Sequence, residues 1–396
     1  MSRVVAAAAG IAVLLVPAPA RARPAACQAT PPAGKTIKAM PYEDQLYDLA
    51  RLGPLATGAG IRVAVIDSGV DDGNPQLRGR VAKGRDFLRN DDSGGRQDCV
   101  GHGTGVASII AGAPIDGVAF HGLAPDATIV PVRVSEGLDI GGGKERGDEG
   151  SPAGLARAIT WAAGDGHAQV INVSLSTTAD TLEVRRAVAG AVASGVVVVA
   201  AAGNHATDGN LTPYPAANDD VLGVGATDAG GLRASYSQHG DYVDLTAVGD
   251  KVTMAAVGTG QTVESGTSFA APYVAATAAL VLQRFPGLTP AQVQRRLIAT
   301  ADPAPGGRRS DEYGFGLLNP YRALTETLSP EKAAPPAPAV IHAEDPAVLA
   351  LRARRAHART MSLVAAAVGA GVVVLAGILT VVVRRGRRRG WRPAPP

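Results

Sequence analysis

The chain has 396 residues and a formal net charge of +3 at pH 7. Residues 61–324 hold 21 Lys and Arg against 28 Asp and Glu, a balance of 21 − 28 = −7, so the basic excess lies at the two ends. A nucleic-acid-binding domain is expected to carry positive charge on its folded body, so this distribution excludes that class of partner.

The first twenty residues have the pattern of a secretory signal peptide. Arg3 supplies a positive start, Val4–Val16 is an apolar run too short to span a bilayer, and Ala18-Pro19-Ala20 offers small residues for cleavage. A buried helix would show polar positions along one face. We therefore predict a signal peptide over residues 1–20, followed by an N-terminal extension over residues 21–54.

The middle of the chain has the pattern of an α/β fold with a parallel sheet. Apolar, β-branched runs alternate with Ala-rich helical stretches, which is typical of a parallel sheet covered on both faces. The predicted strands are Ile61–Ile66, Thr128–Val134, Val170–Ser174, Val196–Ala201 and Val221–Ala226, and two of the predicted helices are Pro152–Ala163 and Leu182–Ser194. Ligands of such sheets bind beyond the carboxyl ends of the strands.

Four side chains suited to acyl transfer stand at such positions. Asp67 follows the first strand, and Asn204 follows a later one. His102 stands between glycines ahead of a small-residue helix, and Ser268 begins a helix. A serine needs an imidazole to take its proton, the imidazole needs a carboxylate to orient it, and a helix N-terminus with an amide donor stabilises the oxyanion. Each residue alone could be a cap or loop residue, so the prediction depends on all four together.

Three motifs resemble the active-site motifs of the subtilisin-like (S8) serine proteases, in that family's order of Asp, His and Ser. They are Asp67-Ser68-Gly69, Gly101-His102-Gly103-Thr104 and Gly266-Thr267-Ser268-Phe269-Ala270-Ala271-Pro272. The segment Ala201–Asn204 is similar to the family's oxyanion-hole segment. The resemblance implies a subtilisin-like catalytic domain over residues 55–328 that hydrolyses peptide bonds.

The same resemblance implies a set of substrate-contacting residues. Ser174-Leu175-Ser176 is similar to the strand that pairs with the substrate, Tyr214-Pro215-Ala216 to the segment that closes the first specificity pocket, and Gly203 belongs to the oxyanion-hole segment. Ser176 and Ala216 stand where the family usually has glycine. Their added atoms are expected to narrow the pocket and favour small or slim residues before the scissile bond.

Ser135–Ser151 is a Gly-rich, charged stretch between a strand and a helix. Its place matches a loop that borders the substrate groove in the S8 family. The spacing of its acidic residues lacks the EF-hand pattern, so a solvated loop is favoured over a metal site. We expect no metal and no other cofactor.

Cys27 and Cys99 are the two cysteines of the chain. An isolated pair in an exported protein usually forms one disulfide, which would pin the N-terminal extension beside His102. A lipidated Cys27 is the alternative, but Pro24-Ala25-Ala26 ahead of it lacks the expected leucine. The extension is short for a folded, inhibitory prodomain, so we expect it to lie against the enzyme.

The C-terminal part of the chain predicts a stalk and a membrane anchor. Residues 329–361 begin with a Pro- and Ala-rich stretch typical of an extended linker. Ser362–Val383 has 22 residues without a charge, which at ~1.5 Å per residue is enough to cross the ~30 Å hydrocarbon core. Five arginines follow within residues 384–389, so the tail over residues 384–396 is predicted to be cytoplasmic.

This order of segments resembles the mycosins, which are membrane-anchored proteases of actinobacterial type VII secretion systems. The resemblance implies a protein or peptide substrate, a partner in the secretion membrane complex, and a single-pass protein with its catalytic domain on the extracytoplasmic side of the cell membrane. A mainly structural subunit of that complex, with a limited proteolytic role, is the alternative. A free digestive protease conflicts with the predicted span Ser362–Val383.

Overall fold

The computed structural model describes Cys27 and residues 31–137, 150–307, 309–328 and 383–385. The chain forms two units, residues 1–328 and residues 329–396, and the α/β fold lies in the first. Of the second unit, Val383–Arg385 is described, and it is helical.

Several predicted segments fall beyond these ranges. The predicted signal peptide and linker lie outside the described residues, as do all but the last residue of the predicted span Ser362–Val383 and most of the loop Ser135–Ser151. Within the described part of the chain, no helix combines the length and the apolar character needed to cross a bilayer.

A parallel sheet forms the centre of the fold, as the sequence predicts. Its strands are β1 (Arg62–Asp67), β2 (Arg85–Asp86), β3 (Thr128–Arg133), β4 (Val170–Val173), β5 (Val197–Ala201), β6 (Val221–Thr227) and β7 (Leu245–Val248). Within the described ranges they pair in the order β2-β3-β1-β4-β5-β6-β7, and every neighbouring pair is parallel. The edge strands β2 and β7 are absent from the predicted set, and β2, with two residues, is too short to show an apolar run.

Helices cover both faces of the sheet. They are α1 (Tyr42–Tyr47), α2 (Leu49–Leu52), α3 (His102–Ala111), α4 (Pro152–Ala163), α5 (Leu182–Ala193), α6 (Thr267–Arg284), α7 (Pro290–Ala299) and α8 (Pro320–Thr325). Val63 and Val65 of β1 pack in one apolar cluster with α3 and α6. Ala64 and Ile66 pack in the other cluster with α4 and α5, because successive strand side chains point to opposite faces. The central strand therefore needs the unbroken apolar run that its sequence has.

A short antiparallel hairpin, β8 (Val252–Ala255) and β9 (Gln261–Glu264), precedes α6. It packs beside α3, where a Cβ at Gly105 would overlap Met254 Sδ, so glycine is required for this contact. The turn of the hairpin reaches the start of α3, since a Cβ at Gly101 would lie 3.4 Å from Val257 Cγ2. The hairpin thus borders the first turn of α3 and runs into the first turn of α6.

The N-terminal extension lies against this hairpin. The Gly34 N–H donates to Thr259 O at 2.8 Å. Lys35 then forms an antiparallel bridge with Gln261, on the edge of β9 that faces away from β8. The predicted disulfide joins Cys27 to Cys99, with the two Cα atoms 5.2 Å apart.

Two acidic residues of the extension are buried in the body. Glu43 Oε1 accepts a hydrogen bond from Thr253 N at 2.6 Å, and Asp44 Oδ2 accepts a longer one from His121 N at 3.4 Å. Burial raises the pKa of Glu43. Burial, together with the charge of Glu43, raises the pKa of Asp44 to about 8. The extension is therefore docked through two buried carboxyl groups whose pKa values are raised.

Candidate active site

Asp67 is the last residue of β1, and its side chain is fully buried. Oδ1 accepts hydrogen bonds from Ser68 N and from His102 Nδ1, each at 2.7 Å. Because an ionised carboxylate only accepts, the imidazole must donate from Nδ1. Nε2 is then the ring nitrogen that remains available to take a proton.

His102 is the first residue of α3, and glycines on both sides permit its position. Gly101 has a φ of 88°, in the left-handed region that favours glycine. A Cβ at Gly103 would lie 3.0 Å from Asp67 Cβ, so a side chain there would push α3 away from β1. The imidazole packs on the ring of Phe269, with the ring centroids 5.0 Å apart.

The surroundings of His102 favour its protonated form. Burial by itself lowers the pKa of His102, but the charge and the hydrogen bond of Asp67 act in the opposite direction. The charges of Asp98 and Glu264 add to the effect of Asp67, so the net result is a raised pKa. The site is therefore arranged to stabilise an imidazolium.

Asp98 organises the start of α3, a role that the sequence did not reveal. Its Oδ1 accepts hydrogen bonds from Ser68 Oγ at 2.9 Å and from Gly101 N at 2.8 Å, and its Oδ2 accepts from Thr104 N at 2.9 Å. Ser68 Oγ in turn accepts from Gly103 N at 2.9 Å. The first N–H groups of a helix lack intrahelical acceptors, and Asp98 with Ser68 supplies them from outside the helix. An acidic residue just ahead of a predicted helix was the available signal.

Ser268 is the second residue of α6, which extends over Thr267–Arg284. Its Oγ donates to Ser174 O at 3.1 Å, and Ser174 Oγ donates to Ser268 O at 2.9 Å. Among the described residues, no hydrogen bond joins Ser268 Oγ to His102. Bonds of this kind often form only when a substrate is bound.

Asn204 follows β5 and is oriented by the start of α6. Its Oδ1 accepts hydrogen bonds from Thr267 N at 2.9 Å and from Thr267 Oγ1 at 3.0 Å, and Thr267 Oγ1 accepts from Gly203 N at 3.0 Å. The main-chain N–H of Thr267 can only donate, so the atom of the Asn204 side-chain amide that faces it must be the oxygen. The Asn204 Nδ2 donor points toward Gly266, where a Cβ would lie 3.4 Å away.

His102, Asn204 and Ser268 line one groove of about 600 Å³. Its walls include four of the predicted substrate-contacting residues, Ser174, Leu175, Ser176 and Gly203, together with His102, Asn204 and Ser268. The hairpin contributes Met254, Thr262 and Glu264, and the N-terminal extension contributes Pro31 and Pro32. The structure therefore brings most of the predicted site residues to one cleft.

Tyr214, Pro215 and Ala216 are not among the residues that line this groove. Tyr214 pairs with Thr177 through main-chain hydrogen bonds of 2.8 and 2.9 Å, and Thr177 does line the groove. Ala216 is buried in the apolar cluster on the α4 and α5 side of the sheet. The expectation that Ala216 narrows the first pocket therefore lacks structural support. Of the two residues predicted to narrow that pocket, Ser176 is the one that lines the groove.

A buried ion cluster lies beside the disulfide. Arg133 is fully buried and forms ion pairs with Asp86, at 3.0 Å, and with Glu136. Arg89 pairs with Glu136 at 2.8 Å, and Arg133 Nη2 donates to Cys99 Sγ at 3.4 Å. Glu136 belongs to the stretch that the sequence predicts to be a solvated loop. For this residue the prediction is wrong, because its carboxylate is buried in ion pairs with Arg89 and Arg133.

A family model described as Subtilase family (Peptidase S8) matches residues 58–316. Mycosin-1 of Mycobacterium tuberculosis is 37% identical over 344 residues, which cover 75% of this chain and 75% of that protein. Subtilisin E of Bacillus subtilis is 37% identical over 265 residues, which cover 66% of this chain and 65% of that protein.

Solved mycosin structures have the same fold. The crystal structure of MycP1 from the ESX-1 type VII secretion system superposes with a TM-score of 0.66 at 32% identity, covering 78% of this chain and 92% of that chain. The structure of MycP3 from the type VII (ESX-3) secretion system gives a TM-score of 0.63 at 31% identity, covering 75% and 97%. This agreement in sequence and fold means that the chain belongs to the subtilase family and is a mycosin-like serine endopeptidase.

Proposed function

We propose that the chain cleaves a protein substrate by acyl transfer, with Ser268 as nucleophile, His102 as general base and Asp67 as the carboxylate that orients it. The observation that carries the proposal is the 2.7 Å hydrogen bond between Asp67 Oδ1 and His102 Nδ1, because His102 lines the same groove as Ser268. This bond selects the tautomer whose Nε2 accepts a proton from the serine hydroxyl.

The reaction begins when Ser268 Oγ gives up its hydrogen bond to Ser174 O and donates to His102 Nε2 instead. Oγ attacks the scissile carbonyl carbon while Nε2 takes the hydroxyl proton. The imidazolium is stabilised by Asp67, in line with the raised pKa of His102. His102 then passes the proton to the leaving amine, and water repeats the sequence to release the acyl group.

Two donors are suited to the oxyanion of the tetrahedral intermediate. Ser268 lies in the first turn of α6, where main-chain N–H groups lack intrahelical acceptors. Asn204 supplies its Nδ2, which is kept free because Thr267 occupies the amide oxygen. Donors fixed before the reaction are worth more than mobile ones, since they need no reorganisation as charge develops.

The substrate chain is proposed to lie along Ser174, Leu175 and Ser176, with Gly203 at the base of the first pocket. The Ser176 side chain occupies space that glycine would leave open, so small or slim residues are favoured before the scissile bond. A peptide library in which large aromatic residues dominate that position would contradict this.

The proposed setting is the extracytoplasmic face of a cell membrane, where the enzyme works with a type VII secretion complex. The signal-like start, the uncharged run Ser362–Val383 and the arginines after it support export and anchoring. The similar MycP1 and MycP3 belong to ESX-1 and ESX-3 type VII systems. The alternative, a mainly structural subunit of the secretion complex, does not explain the hydrogen bond between Asp67 and His102, whereas proteolysis requires it.

The test combines active-site labelling with secretion. A fluorophosphonate probe should label the wild type and a Ser194→Ala control but not Ser268→Ala, since Ser194 is exposed at the end of α5. Comparative proteomics of secreted material should reveal one uncleaved protein in Ser268→Ala. Undiminished labelling of Ser268→Ala would refute the assignment of the nucleophile.

A further inference from the structure

The groove around His102 and Ser268 is nearly free of charged side chains. Its described lining consists of Gly, Pro, Ala, Val, Leu, Met, Phe, Tyr, Ser, Thr and Asn residues, apart from His102 and Glu264. Glu264 is therefore the one carboxylate among the described residues of the lining. Among the described lining residues no Lys or Arg offsets this charge, so it acts directly on a ligand in the groove.

Glu264 lies on the His102 side of the groove. It is the last residue of β9, in the hairpin that borders the first turn of α3. Thr262, two residues earlier on the same face of β9, pairs in register with Met254, and Met254 packs on Gly105, one turn after His102 in α3. The other wall is formed by the segment after β4, where Ser174 is hydrogen-bonded to Ser268.

His102 defines the direction of the substrate. The imidazolium must protonate the leaving amine, so the residues after the scissile bond pass on the His102 side. The residues before the bond lie along Ser174–Ser176 in the proposed function. Glu264 therefore faces the leaving-group half of the substrate.

The carboxylate of Glu264 is available to a ligand. The side chain is exposed, and its one described hydrogen bond is a long contact of 3.4 Å from Thr262 Oγ1. Within the described residues, no Lys, Arg or His forms an ion pair with it. No described ion pair has to be broken before a cationic partner forms a charge-assisted hydrogen bond with this carboxylate.

We propose that Glu264 is a specificity-determining residue that selects substrates with Arg or Lys within the first residues after the scissile bond. This inference rests on the proposed function, and it adds the substrate class. An arginine presents two parallel donors to the carboxylate, so it should be preferred over lysine.

The proposal has a second consequence for the pH dependence. Three carboxylates raise the pKa of His102: Asp67 at the end of β1, Asp98 ahead of α3, and Glu264. Glu264→Gln removes one of them and leaves the other two in place. The lower limb of the kcat/KM profile should therefore move to lower pH, because His102 loses its proton more readily.

The experiment compares matched peptides that differ only by Arg, Lys, Gln or Glu at each of the first three positions after the scissile bond. The wild type should favour the Arg over the Gln peptide by about 5-fold in kcat/KM, as expected for a partly exposed ion pair, and less at high salt. Glu264→Gln should bring that ratio close to one, and Glu264→Lys should favour the Glu peptide. Glu183→Gln, on the exposed start of α5, should keep the wild-type ratio.

The two levels of the proposal fail differently. Cleavage and fluorophosphonate labelling without any preference for a basic residue would overturn the role of Glu264 alone. A preference that persists in Glu264→Gln would overturn it as well. A wild type that neither labels nor cleaves would overturn the proposed function and the role of Glu264 together.

Discussion

The buried carboxyl group of Asp44 should make the protein less stable as the pH rises. Its pKa is about 8 in the folded protein, against an ordinary value of 3.8. Above pH 3.8 the unfolded chain releases this proton while the folded chain keeps it, so the free energy of unfolding falls until the pH passes about 8. Asp44→Asn removes the titrating group and should therefore stabilise the protein at high pH.

The structure sets the size of the effect. Each tenfold difference in proton affinity corresponds to about 1.4 kcal/mol, so a pKa of about 8 against 3.8 gives an upper limit of about 6 kcal/mol above pH 8. Local relaxation and water entry reduce burial penalties, so we expect about 3 kcal/mol. An asparagine at position 44 can still accept the hydrogen bond from His121 N.

The assay is thermal unfolding in a Ser268→Ala background, which prevents self-cleavage. At pH 9 Asp44→Asn should raise Tm by roughly 6–12 °C, whereas at pH 4.5 the difference should be small. Asp126→Asn is the control, because Asp126 lies near the surface in an ion pair of 3.0 Å with Arg80. An equal shift at both pH values, or a lower Tm at pH 9, would refute the reasoning.

Two further predictions concern the active site. Asn204→Ala should lower kcat by about 10²–10³ with little change in KM, a range that comes from subtilisin, a member of the same family; unchanged kcat would exclude Asn204 as an oxyanion donor. Asp98→Ala should lower kcat/KM by up to about 100-fold because His102 loses its fixed position. Asp98→Asn should recover much of that activity and move the lower limb of the pH profile downward, a shift that Asp116→Ala, on a surface turn, should not produce.

The sequence predicted those features that depend on local pattern. The strands ending at Asp67 and before Asn204 show as apolar runs, and the glycines on both sides of His102 are needed where the chain turns sharply or packs closely. These signals lie within a few residues of the groups that they position. The parallel sheet and the family follow from them.

Features that depend on distant partners were not predictable in the same way. Glu43 and Asp44 are residue types usually found at the surface, but Thr253, far along the chain, donates a hydrogen bond to Glu43 in the interior. Arg133 lies within a predicted strand, but its ion pair with Asp86 could not be predicted, because the two residues are far apart in the sequence and meet only in the folded sheet. Ala216 matches a family motif in sequence, yet its side chain packs into the core.

The bridge between Lys35 and Gln261 has a consequence for how the enzyme handles unfolded chains. An open strand edge offers a row of unpaired N–H and C=O groups to any extended peptide, and so invites aggregation. The extension occupies that position on β9, so the hairpin edge beside the groove is already paired at this point. A protease that meets extended chains then has less surface on which they can add as a strand, which directs them to the groove where they are cut.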